Sequence, residues 1–587
     1  MLKLLKNLNK RDYIYVFISA GLIVFQVWLE LKMPDYMSNI TQLVQTRGAS
    51  INDILREGSY MLLCAFGSLV SAFIVGYFTS TIAASFSYRT RGKLFRKVED
   101  ISTFEIKKFS PSSLITRTTN DITQIEFLIA MGLTLMIKAP ITAVWAVTKI
   151  LNKSIEWSIL TGVAVLVLLI TIGIIMMIVM PKFKIVQELM DKINMVMREN
   201  LSGIRVVRAF NAEKYQEDKF ENVNNTLTNQ QVFNQKAFNF LSPVMYLVMY
   251  FLTLGIYFIG AILINEANMG DKIVLFGNMI VFSSYAMQVI MSFLMLAMIF
   301  MMLPRASVSA RRINEVLDTP ISVNEGNVTM NNSDIKGCVE FKNVSFKYPD
   351  ADEYVLEDIS FKVNKGETIA FIGSTGSGKS TLINLIPRFY DATSGEILIN
   401  GIDVRDYSFE YLNNIIGYVP QKATLFSGDI LSNVSFGKNI DGKPSNKKIA
   451  DALRVSQASE FVSKLEDGEK SHIAQGGTNI SGGQKQRLSI ARTIARNPEI
   501  YIFDDSFSAL DYKTDSTLRR ELREYTKDAT VMIVAQRIGT ILNADKIVVL
   551  DNGKCVGVGT HNELMKKCKV YKEIALSQVS KEELENV

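Results

Sequence analysis

Up to about residue 304 the chain alternates long apolar runs with basic polar stretches, and after that its rhythm changes. Uncharged runs cover Gly58–Tyr88, Trp157–Pro181, Ala237–Asn265 and Ile273–Pro304. Each exceeds the ~20 residues that carry a helix across a bilayer. Two less clean runs join them: Tyr13–Leu31, containing Gln26 and Glu30, and Phe127–Val147, in which Lys138 is followed by Pro140. The pattern predicts six membrane-spanning helices. Between them Arg89–Glu126 and Lys182–Lys236 are long and polar without dense glycine or proline, so helices continuing past the bilayer as two hairpins are expected rather than loops. Beyond Pro304 a basic stretch, RASVSARRINEVLDTP, leads into the polar NEGNVTMNNSDIKG. From Cys338 short β-branched runs alternate with amphipathic helical segments, the signature of a soluble α/β domain. The expected organisation is a membrane all-α domain over 1–304, six transmembrane helices with long cytoplasmic extensions, then a linker over 305–337 and an α/β domain over 338–587.

Composition agrees with this split: 48% hydrophobic and 21% charged residues is apolar for a chain of 587. Loop charge orients the spans. The connection after the second span carries Arg89, Arg91, Lys93, Arg96, Lys97, Lys107, Lys108 and Arg117, whereas the facing connections Thr148–Glu156 and Glu266–Lys272 are much less basic. By the positive-inside rule the N-terminus and the C-terminal domain are cytoplasmic, in a multi-pass protein of the cytoplasmic (inner) membrane surrounded by lipid. The net charge of +6 is accounted for by these inner-face residues, so no nucleic-acid partner is expected. Cys64, Cys338, Cys555 and Cys568 are scattered and form no metal-spaced pair, which suits a reduced compartment and excludes a zinc site.

The chemistry concentrates in the α/β region. Gly373, Ser374, Thr375, Gly376, Ser377, Gly378, Lys379, Ser380 and Thr381 follow the apolar strand ETIAFI and precede the apolar LINLI. Strand, glycine loop and helix is the context of a phosphate-binding loop, so the domain reads as an α/β P-loop nucleotide-binding domain. Its backbone N–H groups cradle phosphate oxygens, Lys379 reaches the terminal phosphates and the Ser380 hydroxyl can ligate Mg²⁺. A buried parallel strand over Ile500–Phe503 then delivers Asp504 as a second Mg²⁺ contact. Between the two, Ser481, Gly482, Gly483 and Gln484 form a helix-start pattern whose N–H groups suit another phosphate.

On these motifs, in this order, the chain resembles the ATP-binding cassette exporters in which six membrane helices and one nucleotide-binding domain share a chain, and nearly the whole length takes part. The resemblance implies ATP and Mg²⁺ as cofactors and export as the direction of transport. It implies that Tyr348 of FKYPD stacks on adenine, and that Gln421 of YVPQKATLF joins Ser380 and Asp504 on Mg²⁺. Ser481–Gln484 is similar to the signature that caps the nucleotide bound by a partner chain, and Ser508–Asp511 to the loop between the two sites. Ser113–Asp121 and Arg205–Phe210 resemble the cytoplasmic stretches that dock onto nucleotide domains.

Several positions depart from the family pattern. Asp505 stands where the family usually has the glutamate that polarises the attacking water, which sets its carboxylate back by roughly 1.5 Å, and misplacement on the order of 1 Å costs about a hundredfold in rate. Gln536 stands where the family has a histidine that contacts the terminal phosphate. Gln475 replaces a glutamate. Ile480 replaces the signature's usual leucine, a volume-conserving change. The expectation is therefore a slow, degenerate ATP site, and a second, non-identical half-transporter that supplies the glutamate and histidine of the active one; a homodimeric lipid or drug flippase with two slow sites is the alternative. Small amphipathic compounds are the expected substrates, with Glu30 and Asp35 as possible attractors of cations, Lys138 facing a cavity or snorkelling along its helix, and Met279, Met287, Met291, Met295, Met298, Met301 and Met302 as an adaptable apolar wall.

Overall fold

The computed structural model describes residues 2–46, 50–151, 155–330, 335–437 and 442–578. Parts of the outer connection Thr148–Glu156 and of the linker, and the side chain of Met301, lie outside the described residues.

The chain divides into two compact units. The first, Met1–Glu99 with Ser110–Asp318, holds six helices long and apolar enough to cross a membrane. They run over Lys10–Gln45, Ile51–Asp100, Pro111–Leu151, Ile155–Ser202, Glu213–Glu266 and Asp271–Leu317. At 1.5 Å per residue the 54-residue fifth helix extends ~80 Å, far beyond the ~30 Å of a hydrocarbon core, so these helices continue well past the bilayer. The long polar connections are accordingly helical.

The helices also run through their prolines. Pro34, Pro140, Pro181, Pro243 and Pro304 all sit inside helices. Packed neighbouring helices compensate for the missing N–H, which is why membrane helices tolerate proline. As a result Arg305–Leu317, expected in the linker, forms the last turns of the sixth helix, and the first unit ends at Asp318. The third helix is a series of segments joined by a π-helical stretch at Leu128–Gly132.

Trp157, Phe282 and Tyr285 centre the apolar core of this unit, with the Trp157 and Phe282 rings 5.2 Å apart. Gly260 lets the fifth and sixth helices approach, because a Cβ there would meet Met279 Sδ at 2.5 Å. The methionines of the sixth helix do not form one wall: Met279 is buried, while Met291 and Met298 are exposed.

The second unit comprises Asp100–Phe109 and Thr319–Val587. A ten-stranded sheet runs through it. Its parallel part has Ile416–Val419, Ile500–Asp504, Thr530–Val534, Thr368–Gly373 and Lys546–Asp551 side by side, followed by a largely antiparallel layer that includes Leu356–Val363, Val339–Phe346 and Ser394–Ile399. Ile500–Asp504 and Thr530–Val534 are buried at every position, as strands covered on both faces must be. Alternate residues feed opposite faces: Tyr501 and Phe503 enter one apolar cluster, Ile500 and Ile502 the other. Into the second cluster the short helix Thr103–Lys107 inserts Phe104, beside a group that includes Phe341, Phe361 and Tyr390.

Candidate functional site

Parallel strands end together, and the residues just past those ends form the crevice where such sheets bind ligands. Register sets Val419 beside Phe503, Asp504 beside Val534, and Val534 beside Phe371. Gly373, Gln421, Asp504, Asp505 and Gln536 therefore all emerge along one sheet edge, although more than 160 positions separate the first from the last.

The glycine loop begins where the backbone comes closest to its neighbour. A Cβ on Gly373 would lie 2.1 Å from the carbonyl oxygen of Leu550. Gly378 has φ +94°, a region L side chains rarely adopt, and leads directly into the helix Lys379–Leu385. Lys379 Nζ folds back to donate to the carbonyl oxygens of Gly373 (2.8 Å) and Ser374 (2.7 Å), inside the loop it would share with a phosphate. Burial pushes its ammonium pKa down, so exchanging these neutral acceptors for anionic ones strengthens its charged form.

Ser380 Oγ donates to Asp504 Oδ1 at 3.0 Å, and Tyr418 OH to Asp504 Oδ2 at 3.4 Å. Asp505 follows with φ +46°, its N–H bonded to the Val534 carbonyl at 3.1 Å. Its Oδ2 accepts from Gln536 Nε2 at 2.7 Å and from Gln421 Nε2 at 3.3 Å. Burial raises both carboxyls above the ordinary aspartate range, and the amide hydrogen bonds to Asp505 oppose that rise. Gln421 is thus brought to Asp505 rather than to the Ser380–Asp504 pair.

Ser481 caps the helix Gly482–Arg496: its Oγ accepts from Gln484 N (3.3 Å), and Gln484 Oε1 accepts from Ser481 N (2.9 Å). Ser481 and Gly482 are exposed, so this helix start is open to a group from outside the unit. Ser508 Oγ donates to the Asp505 carbonyl at 2.9 Å, and Asp511 caps the helix Tyr512–Tyr525. The half-buried Tyr348 packs edge-on against Phe346 and Tyr390, its hydroxyl 3.1 Å from Thr381 Oγ1. Thr375 and Gly376 are exposed at the tip of the loop, and Ser377 is buried beneath it.

Sequence reasoning missed three participants. Lys107 Nζ donates to Tyr390 OH at 3.1 Å and lies 5.8 Å from the centre of the Tyr348 ring. Gln578 Nε2 donates to the Gln536 carbonyl at 2.7 Å while its Oε1 accepts from Ile538 N, which ties the loop of Gln536 to the last described helix. Tyr418, on Asp504, was readable as a tyrosine alternating with buried strand positions; the other two carry no local pattern. The segment carried with the second unit is Asp100–Phe109, whereas Ser113–Asp121 and Arg205–Phe210 stay in the first.

The acidic residues of the first span are also not what they were expected to be. Glu30 Oε1 accepts from Lys138 Nζ (2.8 Å) and from Gln26 and Ser68, and Asp35 pairs with Lys149 (2.9 Å) and accepts from Tyr285 OH (2.7 Å). Each carboxylate is neutralised within the bundle, so neither is a free attractor for a cation. Lys138 is held by the same pairing.

A glycine loop, a buried lysine and an aspartate at the carboxyl edge of a parallel sheet, on one chain with six membrane-length helices, define a multi-pass membrane protein fused to a P-loop nucleotide-binding domain. Residues 356–508 match the ABC transporter family and residues 15–293 the ABC transporter transmembrane region. An uncharacterised ABC transporter ATP-binding protein of Mycobacterium tuberculosis is 40% identical over 554 residues, 92% of this chain and 93% of its own. A Bacillus subtilis protein, YgaD, provisionally named a multidrug export ATP-binding/permease protein, is 31% identical over 85% of this chain and 84% of its own. The ATP-dependent lipid A-core flippase of Pseudomonas aeruginosa is 30% identical over 86% and 82%. In fold, a bacterial Atm1-family ABC exporter with ATP bound matches with a TM-score of 0.81 at 22% identity, covering 97% of this chain and all of that one. The chain belongs to the ABC transporter family, as an exporter half-transporter whose family couples ATP hydrolysis to transport and works as dimers.

Proposed function

We propose that this chain is the degenerate-site half of a heterodimeric exporter, moving amphipathic compounds outward across the cytoplasmic membrane at the expense of ATP. The observation that carries the reading is the Asp505 carboxylate, short by one methylene and held by two neutral amides, Gln536 and Gln421. A water at the terminal phosphate would meet a base set back by about 1.5 Å and no imidazole, so binding survives while turnover slows.

Phosphate binding falls to the loop Gly373–Thr381, with Lys379 leaving the carbonyls of Gly373 and Ser374 for the terminal phosphates. Tyr348 offers its ring to adenine. The Ser380 hydroxyl and the Asp504 carboxylate, hard oxygen donors already 3.0 Å apart, fit Mg²⁺, with Gln421 as a third ligand once it releases Asp505. Bound there, Mg²⁺ would neutralise phosphate charge. Ser481–Gln484, an intact capping box that uses the N–H groups of Ser481 and Gln484 and leaves those of Gly482 and Gly483 at the helix start, serves the nucleotide of the partner chain. The partner is a non-identical half-transporter carrying the glutamate and histidine that this chain lacks.

A homodimeric flippase with two slow sites is the second reading, favoured by the likeness to the lipid A-core flippase. The Mg²⁺-dependent ATPase rate of the purified chain in lipid, alone and co-expressed with other half-transporters of its genome, separates the two. Near-zero activity alone and robust turnover with one partner is the expected result. Robust turnover alone overturns it.

A further inference from the structure

Within the first unit, a cavity of about 460 Å³ opens between helices. That size suits a ligand headgroup with the start of a chain. Its polar wall is made by Gln124 of the third helix, Gln231, Asn234 and Gln235 of the fifth and Arg305 of the sixth; Phe127 and Phe238 are among its apolar residues.

Three observations point to a ligand. Asn234 is 5% exposed, yet its Oδ1 has no hydrogen-bond partner among the described residues. Buried amides without partners are rare because desolvation is not repaid, so Asn234 is set for a group the free chain does not hold, its Oδ1 for a hydroxyl of a headgroup and its N–H for a headgroup oxygen. Arg305 has no ion-pair partner among the described residues; its guanidinium lies 5.9 Å from the centre of the Phe183 ring. No carboxylate lines the cavity, and the acids beside it are already engaged. Glu126 accepts from Ser87 at 2.6 Å and pairs with Arg91, while Asp121 accepts from Ser309 at 2.9 Å and pairs with Arg312. The cavity therefore carries one uncompensated positive charge ringed by amides.

Position adds the chain. Arg305 is the first charge after the apolar run Ile273–Pro304, and Phe183, beneath its guanidinium, follows the run Trp157–Pro181 by two residues. This is the depth at which apolar helices leave the hydrocarbon and lipid headgroups lie.

We propose that the cavity binds the headgroup of an anionic amphiphile, a carboxylate or phosphate on an apolar chain. Arg305 takes the charge, the side-chain N–H groups of Gln231, Asn234 and Gln235 donate to the remaining oxygens, and Phe127 and Phe238 meet the first carbons of the chain. This rests on the export reading and gives its substrate a charge sign.

The test is equilibrium binding to the full chain in phosphatidylcholine nanodiscs of three pyrene-labelled probes that share one tail: the fatty acid, its methyl ester and its amine analogue. The acid should bind about tenfold more tightly than the ester, a difference of one charge-assisted contact. Arg305→Gln should erase the preference, Arg305→Lys should keep it, and Arg311→Gln, outside the cavity, should leave it unchanged. Equal affinity for the three probes, or a preference that survives Arg305→Gln, overturns the proposal. So does displacement of the acid by millimolar inorganic phosphate, which would make this an anion site with no use for a chain. If the preference is present but ATP drives no movement of the acid across the bilayer, the export reading fails and the site stands. Transport without headgroup preference gives the reverse.

Discussion

On the proposed degenerate-site reading, restoring the family's glutamate alone should do little for this chain, because the shortened carboxylate is only half of the departure from the family pattern. In Asp505→Glu the added methylene advances the carboxylate by about 1.5 Å into space where Gln536 Nε2 now sits 2.7 Å from Asp505 Oδ2. Gln536 would then donate to the new carboxylate and continue to draw it away from a water, with no imidazole at the phosphate. We expect less than a threefold gain in the Mg²⁺-dependent ATPase rate of the chain alone in lipid. Asp505→Glu with Gln536→His together should gain about a hundredfold, or ~2.7 kcal/mol of transition-state stabilisation. Phosphate release at saturating ATP is the assay, with nucleotide affinity measured in parallel to show that binding has not changed. A hundredfold gain from Asp505→Glu alone would refute the argument, since Gln536 would then be no obstacle. No gain from the double variant would refute it equally.

Three further outcomes follow from the same geometry. Glu30→Gln leaves Lys138 without its carboxylate in a pair whose side chains are 17% and 23% exposed, and should cost about 2 kcal/mol, below the ~3–5 of a fully buried pair; Glu30→Gln with Lys138→Met should recover most of the lost thermal stability, and resistance to cationic compounds should not change. Asp505 has a raised pKa, so its ionised form is the less stable one in the fold: its favourable contribution is complete below the ordinary aspartate value and is lost as pH rises through the raised one. Asp505→Asn should therefore raise the melting temperature of the nucleotide-free protein at pH 7.5, by an amount that shrinks as pH falls towards 5, and a gap independent of pH would contradict this. Gly373→Ala should abolish binding of a fluorescent ATP analogue, because the new Cβ would collide with the rigid Leu550 carbonyl, and near-normal binding would contradict that contact.

What the sequence made legible was whatever is periodic or local. Six apolar runs predicted six helices, buried strands of continuous β-branched and aromatic residues predicted the parallel sheet, and the Ser481–Gln484 spacing predicted a helix cap. The 304/305 boundary was drawn where the apolar run gives way to the basic stretch, whereas the helix carries on through those charged residues to Leu317. Pairing across the fold was out of reach: Glu30 and Lys138 are 108 positions apart, and nothing in either neighbourhood names the other. The same holds for Gln578, which reaches Gln536 from the far end of the chain. Asn234 and Arg305 could be read only as polar residues near span ends, since their lack of partners is a property of the assembled helices.

One segment also decides how this protein can be taken apart. Because Asp100–Phe109 belongs with Thr319–Val587 while its flanking residues do not, the chain passes between the two units three times. A protease cut in the 319–337 stretch would leave the halves tethered through Glu99 and Ser110. A gene fragment beginning at residue 319 would encode a cassette missing Phe104 from its apolar interior and Lys107 from Tyr390. Swapping cassettes between such transporters therefore requires transplanting ten residues from near the front of the chain along with its back half.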